Sequence, residues 1–232
     1  SQVVSNFQIK SLSRFFFILS VCIGVNVNSN PIEINDKIKF NVYRNESKIG
    51  FHNVELYAKD SSITAIIKIK FQVTFLGFVV YDYVHNNQEE WLNGKLVSLK
   101  TTTNKNGDDL FCSLEKKSGL ISIIGTNGKY KITEELMPTS YWDFRLVNNV
   151  TTRKVINTQD CSYIDFNITN LGKESIYNNK IDSYHYKLVG FESTGEKIDI
   201  DIWYDDKKNW VKMIFLKDGS KIEYFLDEYD TN

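Results

Sequence analysis

Ile67-Lys68-Ile69-Lys70-Phe71-Gln72-Val73-Thr74-Phe75 is the stretch that decides the fold. Ile67, Ile69, Phe71, Val73 and Phe75 are apolar, and the residues between them are polar. A period of two puts one set of side chains on each face of an extended chain, so this is a half-buried β-strand. Gly77 follows and reads as a bulge or bend. The chain then resumes with Phe78 to His85, where Tyr81, Tyr83 and His85 share a face.

Working outward, Asn93-Gly94 separates Trp91-Leu92 from Lys95-Leu96-Val97, the strongest short-range hairpin signal. Asn106-Gly107, Ser118-Gly119 and Asn127-Gly128 follow at intervals of 9 to 13 residues. Such spacing indicates successive antiparallel strands rather than βαβ units. The second half repeats the habit. Ser162 to Ile168 alternates, with a turn expected at Leu171-Gly172. Ser183 to Phe191, Ile198 to Tyr204, Trp210 to Leu216 and Lys221 to Leu226 complete the set. Trp210 to Leu216 is apolar on both faces, so one face packs a core and the other lines a second apolar space.

One segment breaks the alternation, Thr133 to Val150, which contains Pro138. Here Thr139 or Ser140 is expected to cap a short helix running to Leu146, with Asp143 in its first turn. The fold class is therefore all-β: a strongly curved antiparallel meander or open barrel of about a dozen strands with one short helical connection near residue 142.

The first 29 residues hold no Asp or Glu. Lys10 and Arg14 precede an apolar run from Phe15 to Val25, and Asn26 to Pro31 form a polar exit. This is the layout of a secretory signal peptide, with Ser29 as the small residue before cleavage. The run is shorter than the roughly 20 apolar residues that span a bilayer. Leu19-Ser20-Val21-Cys22 offers a lesser alternative, a lipobox that would lipidate Cys22, but Val21 stands where a small residue belongs. The expected organisation is a leader over residues 1–29 and a single all-β domain over residues 30–232, periplasmic or secreted. Beyond the leader, 26 Lys and Arg face 29 Asp and Glu. No basic patch suggests nucleic acid, and no other segment suggests a membrane span.

Cys112 and Cys161 remain after cleavage. Cys112 shares a face with Leu110 and Leu114. Cys161 lies opposite the face of Ile164, Phe166 and Ile168, beside a turn at Gln159-Asp160. Opposite faces cannot bridge without backbone movement, so both thiols are expected to be free.

Catalytic signatures are missing: there is no nucleophile elbow, H-E-x-x-H, P-loop or dinucleotide fingerprint. His52 alternates with Val54 and Leu56 and reads as a residue of the core edge. His185, between Tyr184 and Tyr186, reads as cross-strand packing. His85 precedes Glu89, Glu90 and Trp91. A His beside carboxylates suits acid–base chemistry, but a strand end with solvated charges is the simpler expectation. Asp199 and Asp201 could meet a hard cation and read instead as a solvated outer face. No cofactor and no metal is implied. The aromatic set offers the better lead. Tyr141, Trp142 and Phe144 in the irregular connection, facing Tyr81, Tyr83 and His85 on the sheet, form a candidate ligand-binding pocket or a plug that completes the core.

Tyr43-Arg44-Asn45-Glu46-Ser47-Lys48-Ile49-Gly50, Glu90 to Leu96, Asn106-Gly107, Pro138 to Trp142, Trp203-Tyr204-Asp205 and Trp210-Val211 together resemble an uncharacterised family of exported bacterial proteins, a domain of unknown function. The resemblance covers nearly all of the chain beyond the leader. That family is in turn distantly similar to the curved-sheet carriers that move lipoproteins or lipids across the periplasm. The resemblance implies a curved sheet and an envelope location, and it brings no catalytic residue. Those carriers close their concave face with several helices, whereas this chain offers only the segment around Tyr141.

The expected function is therefore a non-enzymatic envelope protein that binds a hydrophobic or lipid-like small molecule on a concave sheet face. A structural or adaptor protein holding another envelope protein is the alternative. A hydrolase built around His85 with Glu89 or Glu90 is the third.

Overall fold

The computed structural model describes residues 37–231. The leader expected over residues 1–29, with Cys22, lies outside them. The described chain is mostly strand, with almost no helix. The first half runs β1 (Lys37–Arg44), β2 (Ser47–Lys59), β3 (Ser62–Phe75), β4 (Phe78–Leu92), β5 (Lys95–Lys105), β6 (Asp108–Lys117), β7 (Leu120–Gly125) and β8 (Gly128–Ile132). The second half runs β9 (Met137–Pro138), β10 (Thr152–Ile156), β11 (Tyr163–Ile176), β12 (Ile181–Phe191), β13 (Lys197–Asp205), β14 (Trp210–Lys217) and β15 (Ser220–Leu226). All belong to one 15-stranded sheet, in the order β8 to β1, then β15 down to β9. Each half is a meander. The halves join where β1 pairs antiparallel with β15, Phe40 opposite Leu226. Among the described residues the only parallel pair is β9 with β10.

The hairpins sit where the local chemistry puts them. At Asn93-Gly94 both residues take positive φ, 50° and 74°, the twist a two-residue hairpin needs. Leu76 and Gly77 do the same, at 49° and 82°. Gly77 is thus part of a tight hairpin between β3 and β4, not a bulge or bend in one strand. The reverse holds at Leu171-Gly172. No turn occurs there: β11 continues to Ile176, with a register shift between Asn170 and Gly172. The Asn170 side chain accepts the Gly172 N–H at 2.9 Å, and Gly172 takes φ +95°. A Gly and a preceding Asn suit a bulge as well as a turn, and cross-strand pairing decides between them.

Further register shifts occur in β1/β2, β3/β4, β4/β5 and β13/β14. Each extra residue bends its strand, and together they curl the sheet into an open barrel. Side chains then close it. β8 and β9, the sheet's two edges, do not pair with each other. Instead the β10–β11 turn leans on the first half. The Tyr130 hydroxyl of β8 donates to the Cys161 carbonyl at 2.7 Å, and its ring packs on Tyr163 at 5.3 Å. A side chain at Gly125 would collide with the Asp160 carbonyl, so only glycine permits this approach.

Cys112 and Cys161 form a disulfide across this seam, with Cα atoms 4.9 Å apart. The expectation of free thiols fails for a clear reason. Strand parity does not reach Cys161: it lies two residues before β11, in a turn with φ +65°, so its side chain does not follow the alternation.

The irregular segment also differs in detail. A single 3₁₀ turn, Phe144–Leu146, replaces the expected helix, and Asp143 is its N-cap, accepting the Arg145 N–H. Thr139 and Ser140 do other work. The Thr139 hydroxyl accepts the Thr158 N–H at 3.0 Å, and Ser140 hydrogen-bonds Glu89. Tyr141 at φ +66° interrupts any helix between them. A second 3₁₀ turn, Asp227–Tyr229, follows β15. Among the described residues no helix is long and apolar enough to cross a membrane.

Candidate functional site

The concave face is filled at one end and hollow at the other. At the filled end the segment around Trp142 enters the barrel. Leu146 and Val147 are buried in the core, and the Trp142 ring meets Trp91 edge-on at 5.7 Å. Glu89 lies among them with no exposure to solvent. Its carboxylate accepts from Trp142 Nε1 at 2.9 Å, Trp91 Nε1 at 3.0 Å and Asn87 Nδ2 at 2.9 Å, as well as from Ser140. Burial pushes the Glu89 carboxyl upward, and the four hydrogen bonds oppose that push by favouring the charged form. The solvated charge expected at Glu89 is therefore wrong. Glu89 is two residues past Asn87 and four past His85, so it continues their inward face.

Above this plug lies a cavity of ≈ 810 Å³. Strand β4 forms one wall. Tyr81, Tyr83, His85 and Asn87 step down it at every second residue, roughly 20 Å of extended chain. Their rings stack in sequence, Tyr81 on Tyr83 at 6.5 Å and Tyr83 on His85 at 6.4 Å. Phe71 of β3 stacks on Tyr83 at 5.6 Å. The facing wall includes Ile200, Met213, Phe215 and Tyr224. Tyr141 closes one side, with its ring 6.0 Å from Trp210.

The histidines on the lining are held neutral. His85 Nδ1 lies 2.7 Å from the Thr103 hydroxyl. Burial lowers its pKa from 6.5 to about 4. His52 Nδ1 lies 3.2 Å from the Tyr224 hydroxyl, and its ring meets Trp210 edge-on at 5.0 Å. Burial, with the proximity of His85, lowers the His52 pKa to about 3. The Tyr83 and Tyr141 hydroxyls are pushed well above their usual range by burial.

The rim is apolar where β3 and β4 meet. Phe75 is 65% exposed, Leu76 81% and Phe78 75%, and Val79 and Val80 are also exposed. Pairing of β3 with β2 stops at Phe71, and pairing of β4 with β5 stops at Tyr83. The hairpin tip therefore projects beyond both neighbours. Arg44, Lys105 and Lys217 also stand on the cavity's edge.

A family characterised only as a domain of unknown function, DUF6134, matches residues 40–227. The chain belongs to the DUF6134 family. The crystal structure of a beta-barrel-like protein of the domain of unknown function DUF1849, from Brucella abortus, has the same fold. It superposes with a TM-score of 0.61 at 6% identity, over 82% of this chain and 94% of that one. No curated protein matches the sequence.

Within this DUF6134 domain, four of the six residues proposed from sequence line the cavity: Tyr81, Tyr83, His85 and Tyr141. Trp142 and Phe144 do not. Trp142 turns into the plug, and Phe144 packs on Tyr204 at 5.2 Å with Lys208 Nζ 4.2 Å above its ring. The left-handed backbone at Tyr141 sends neighbouring rings in different directions. His52, read from the sequence as a residue of the core edge, also lines the cavity, as do Asn87 and Tyr224, which the sequence reading does not single out. The available signal was polar residues at inward positions, His52 in phase with Val54 and Asn87 in phase with Tyr83.

His85 meets Thr103 rather than a carboxylate, and Glu90 bonds Thr64 and Gln88. His185 stacks on Trp203 at 4.2 Å and lies 2.7 Å from an Asp201 oxygen. Asp199 and Asp201 both pair with Lys187. Among the described residues no group of three or more His, Cys, Asp or Glu side chains could hold a metal ion.

Proposed function

We propose that this domain is an exported, non-enzymatic binding protein of the bacterial envelope that holds a hydrophobic or lipid-like ligand in its concave face. One observation carries the proposal: a cavity of ≈ 810 Å³, with an aromatic and aliphatic stretch of wall from Phe71, Tyr81 and Tyr83 to Met213 and Phe215 among polar residues, opens beside a projecting apolar hairpin. That volume falls in the range of small-molecule sites. The hairpin gives an apolar molecule a path from a membrane or carrier into the cavity without crossing bare water. The Cys112–Cys161 bridge supports an oxidising compartment, in keeping with the leader expected over residues 1–29. The two groups a hydrolase would draw on are otherwise engaged, His85 with Thr103 and Glu89 with two indoles.

The test is lipid mass spectrometry on protein purified from its native envelope in mild conditions, beside a variant with Met213→Trp and Ile200→Phe filling the cavity. An apolar species should accompany the wild-type chain in near-stoichiometric amount and be lost from the filled variant. Equal lipid on both would show that it adheres elsewhere.

The exposed tip also favours a second reading, an adaptor that adds its apolar hairpin to another envelope protein. In that case Leu76→Ser with Phe78→Ser would abolish a cross-linked partner, and filling the cavity would leave the cross-link intact.

A further inference from the structure

The floor of the cavity carries polarity that an apolar ligand does not explain. His52 and Asn87 both line it, and each is about 97% buried, with 3% exposure. His52 uses Nδ1 toward Tyr224, and its Nε2 is buried without a hydrogen-bond partner. Asn87 uses Nδ2 to hold Glu89, and its Oδ1 is likewise buried without a partner. Buried polar atoms are rarely left unpaired, because each forfeits its hydrogen bonds to water. Two such atoms on one cavity, in strands two positions apart in the sheet order, point to a group that arrives with the ligand.

Resting on the binding function proposed above, we infer that the ligand is a neutral amphiphile whose hydroxyl or amide end enters first and bonds His52 and Asn87, its apolar body lying along Tyr83, Phe71 and Phe215 toward the hairpin. The sign of the head group follows from the partners. Asn87 Oδ1 only accepts, so the ligand must donate there. His52 Nε2 accepts or donates according to tautomer, which a hydroxyl or primary amide can match. An anion is unsuited: it offers no donor to Asn87, and the Glu89 carboxylate lies directly behind that side chain. Both lining histidines are kept neutral by burial, so neither supplies a counter-charge. Of the cations on the cavity, Lys197 and Lys217 pair with Asp199 and Glu196, while Arg44 and Lys105 end their strands beyond the row of His52 and His85.

Displacement of Nile red by dodecanol, dodecane and dodecanoate in mildly alkaline buffer distinguishes these cases. Dodecanol should compete at roughly tenfold lower concentration than either of the others, the ratio for about one net hydrogen bond. His52→Phe and Asn87→Leu should each bring dodecanol toward dodecane while leaving dodecane unchanged. Two separate variants, each checked by circular dichroism, guard against a folding defect in one. Equal displacement by all three compounds in the wild type would overturn the polar anchor and leave the apolar site standing. Preference for dodecanoate would overturn the neutral head group. If Nile red fails to bind at all, the binding function falls together with this inference.

Discussion

Trp142 and Glu89 show how one buried acid can organise a barrel end. The Trp142 ring fills space against Trp91, and its N–H also satisfies a fully buried carboxylate. Trp142→Ala should therefore cost roughly 3–5 kcal/mol, as large-to-small core changes do. Trp142→Phe keeps most of the volume but removes one donor from Glu89, so a loss of about 1–3 kcal/mol is expected. Urea denaturation of the two variants measures both, and a near-zero loss for Trp142→Ala would show that the ring does not plug the barrel.

The histidines set a pH dependence at the same scale. His52 and His85 have folded pKa values of about 3 and about 4, below the ordinary 6.5. Protonation is thus easier in the unfolded chain. Their contribution to stability is complete above pH 6.5 and is lost as pH falls toward the folded values. Glu89 acts in the opposite sense, because its raised pKa makes the folded chain take up a proton more readily. Stability should fall from pH 6.5 toward 4, and the slope should flatten in His52→Phe and steepen in Glu89→Gln. A slope unchanged in His52→Phe would mean that His52 is hydrated in the folded protein.

Among the elements, the β3–β4 hairpin departs most from what stability alone requires. Its tip buries little, so Leu76→Ser with Phe78→Ser should change unfolding free energy by no more than about 0.5 kcal/mol. If the tip guides ligands inward, the same pair should slow Nile red uptake several-fold with little effect on final occupancy. Stopped-flow fluorescence reads the rate and equilibrium titration the occupancy; an unaltered rate would separate the tip from the cavity. The element also shows what alternation can reveal. Ile67 to Phe75 announces a strand, and its inward residues Ile69, Phe71 and Val73 do line the cavity. Exposure of Phe75 was not legible, because period two assigns a face and does not say where neighbouring strands stop.

The whole molecule depends on a bond between distant segments. Cys112 and Cys161 are 49 residues apart in sequence and join the two meanders at the seam that lacks backbone pairing. Reduction, or Cys112→Ser with Cys161→Ser, should lower stability by roughly 2–4 kcal/mol. Thiol titration in denaturant should find neither group reactive until a reductant is added. The hairpin ladders need no cross-link, so the reduced chain should keep its β-sheet circular dichroism while its melting temperature drops. Two free thiols in protein secreted by its own cell would refute the bridge and weaken the proposed export.

The sequence by itself determined the class of this protein: alternation and Asn-Gly or Asp-Gly pairs are local signals, and each hairpin obeys the twist of its own few residues. It also placed Tyr81, Tyr83, His85 and Tyr141 on one side of the curved sheet. Tertiary structure alone decided the rest. Whether Gly172 is a turn or a bulge depends on a strand pairing made across the chain. Whether Trp142 fills a core or lines a hollow depends on Glu89, 53 residues away, receiving its indole N–H. The disulfide depends on a turn outside any strand, where parity has no meaning. Curvature sums small bends from separated bulges, and a cavity is what remains when the side chains inside do not fill the space. Neither quantity resides in any single segment.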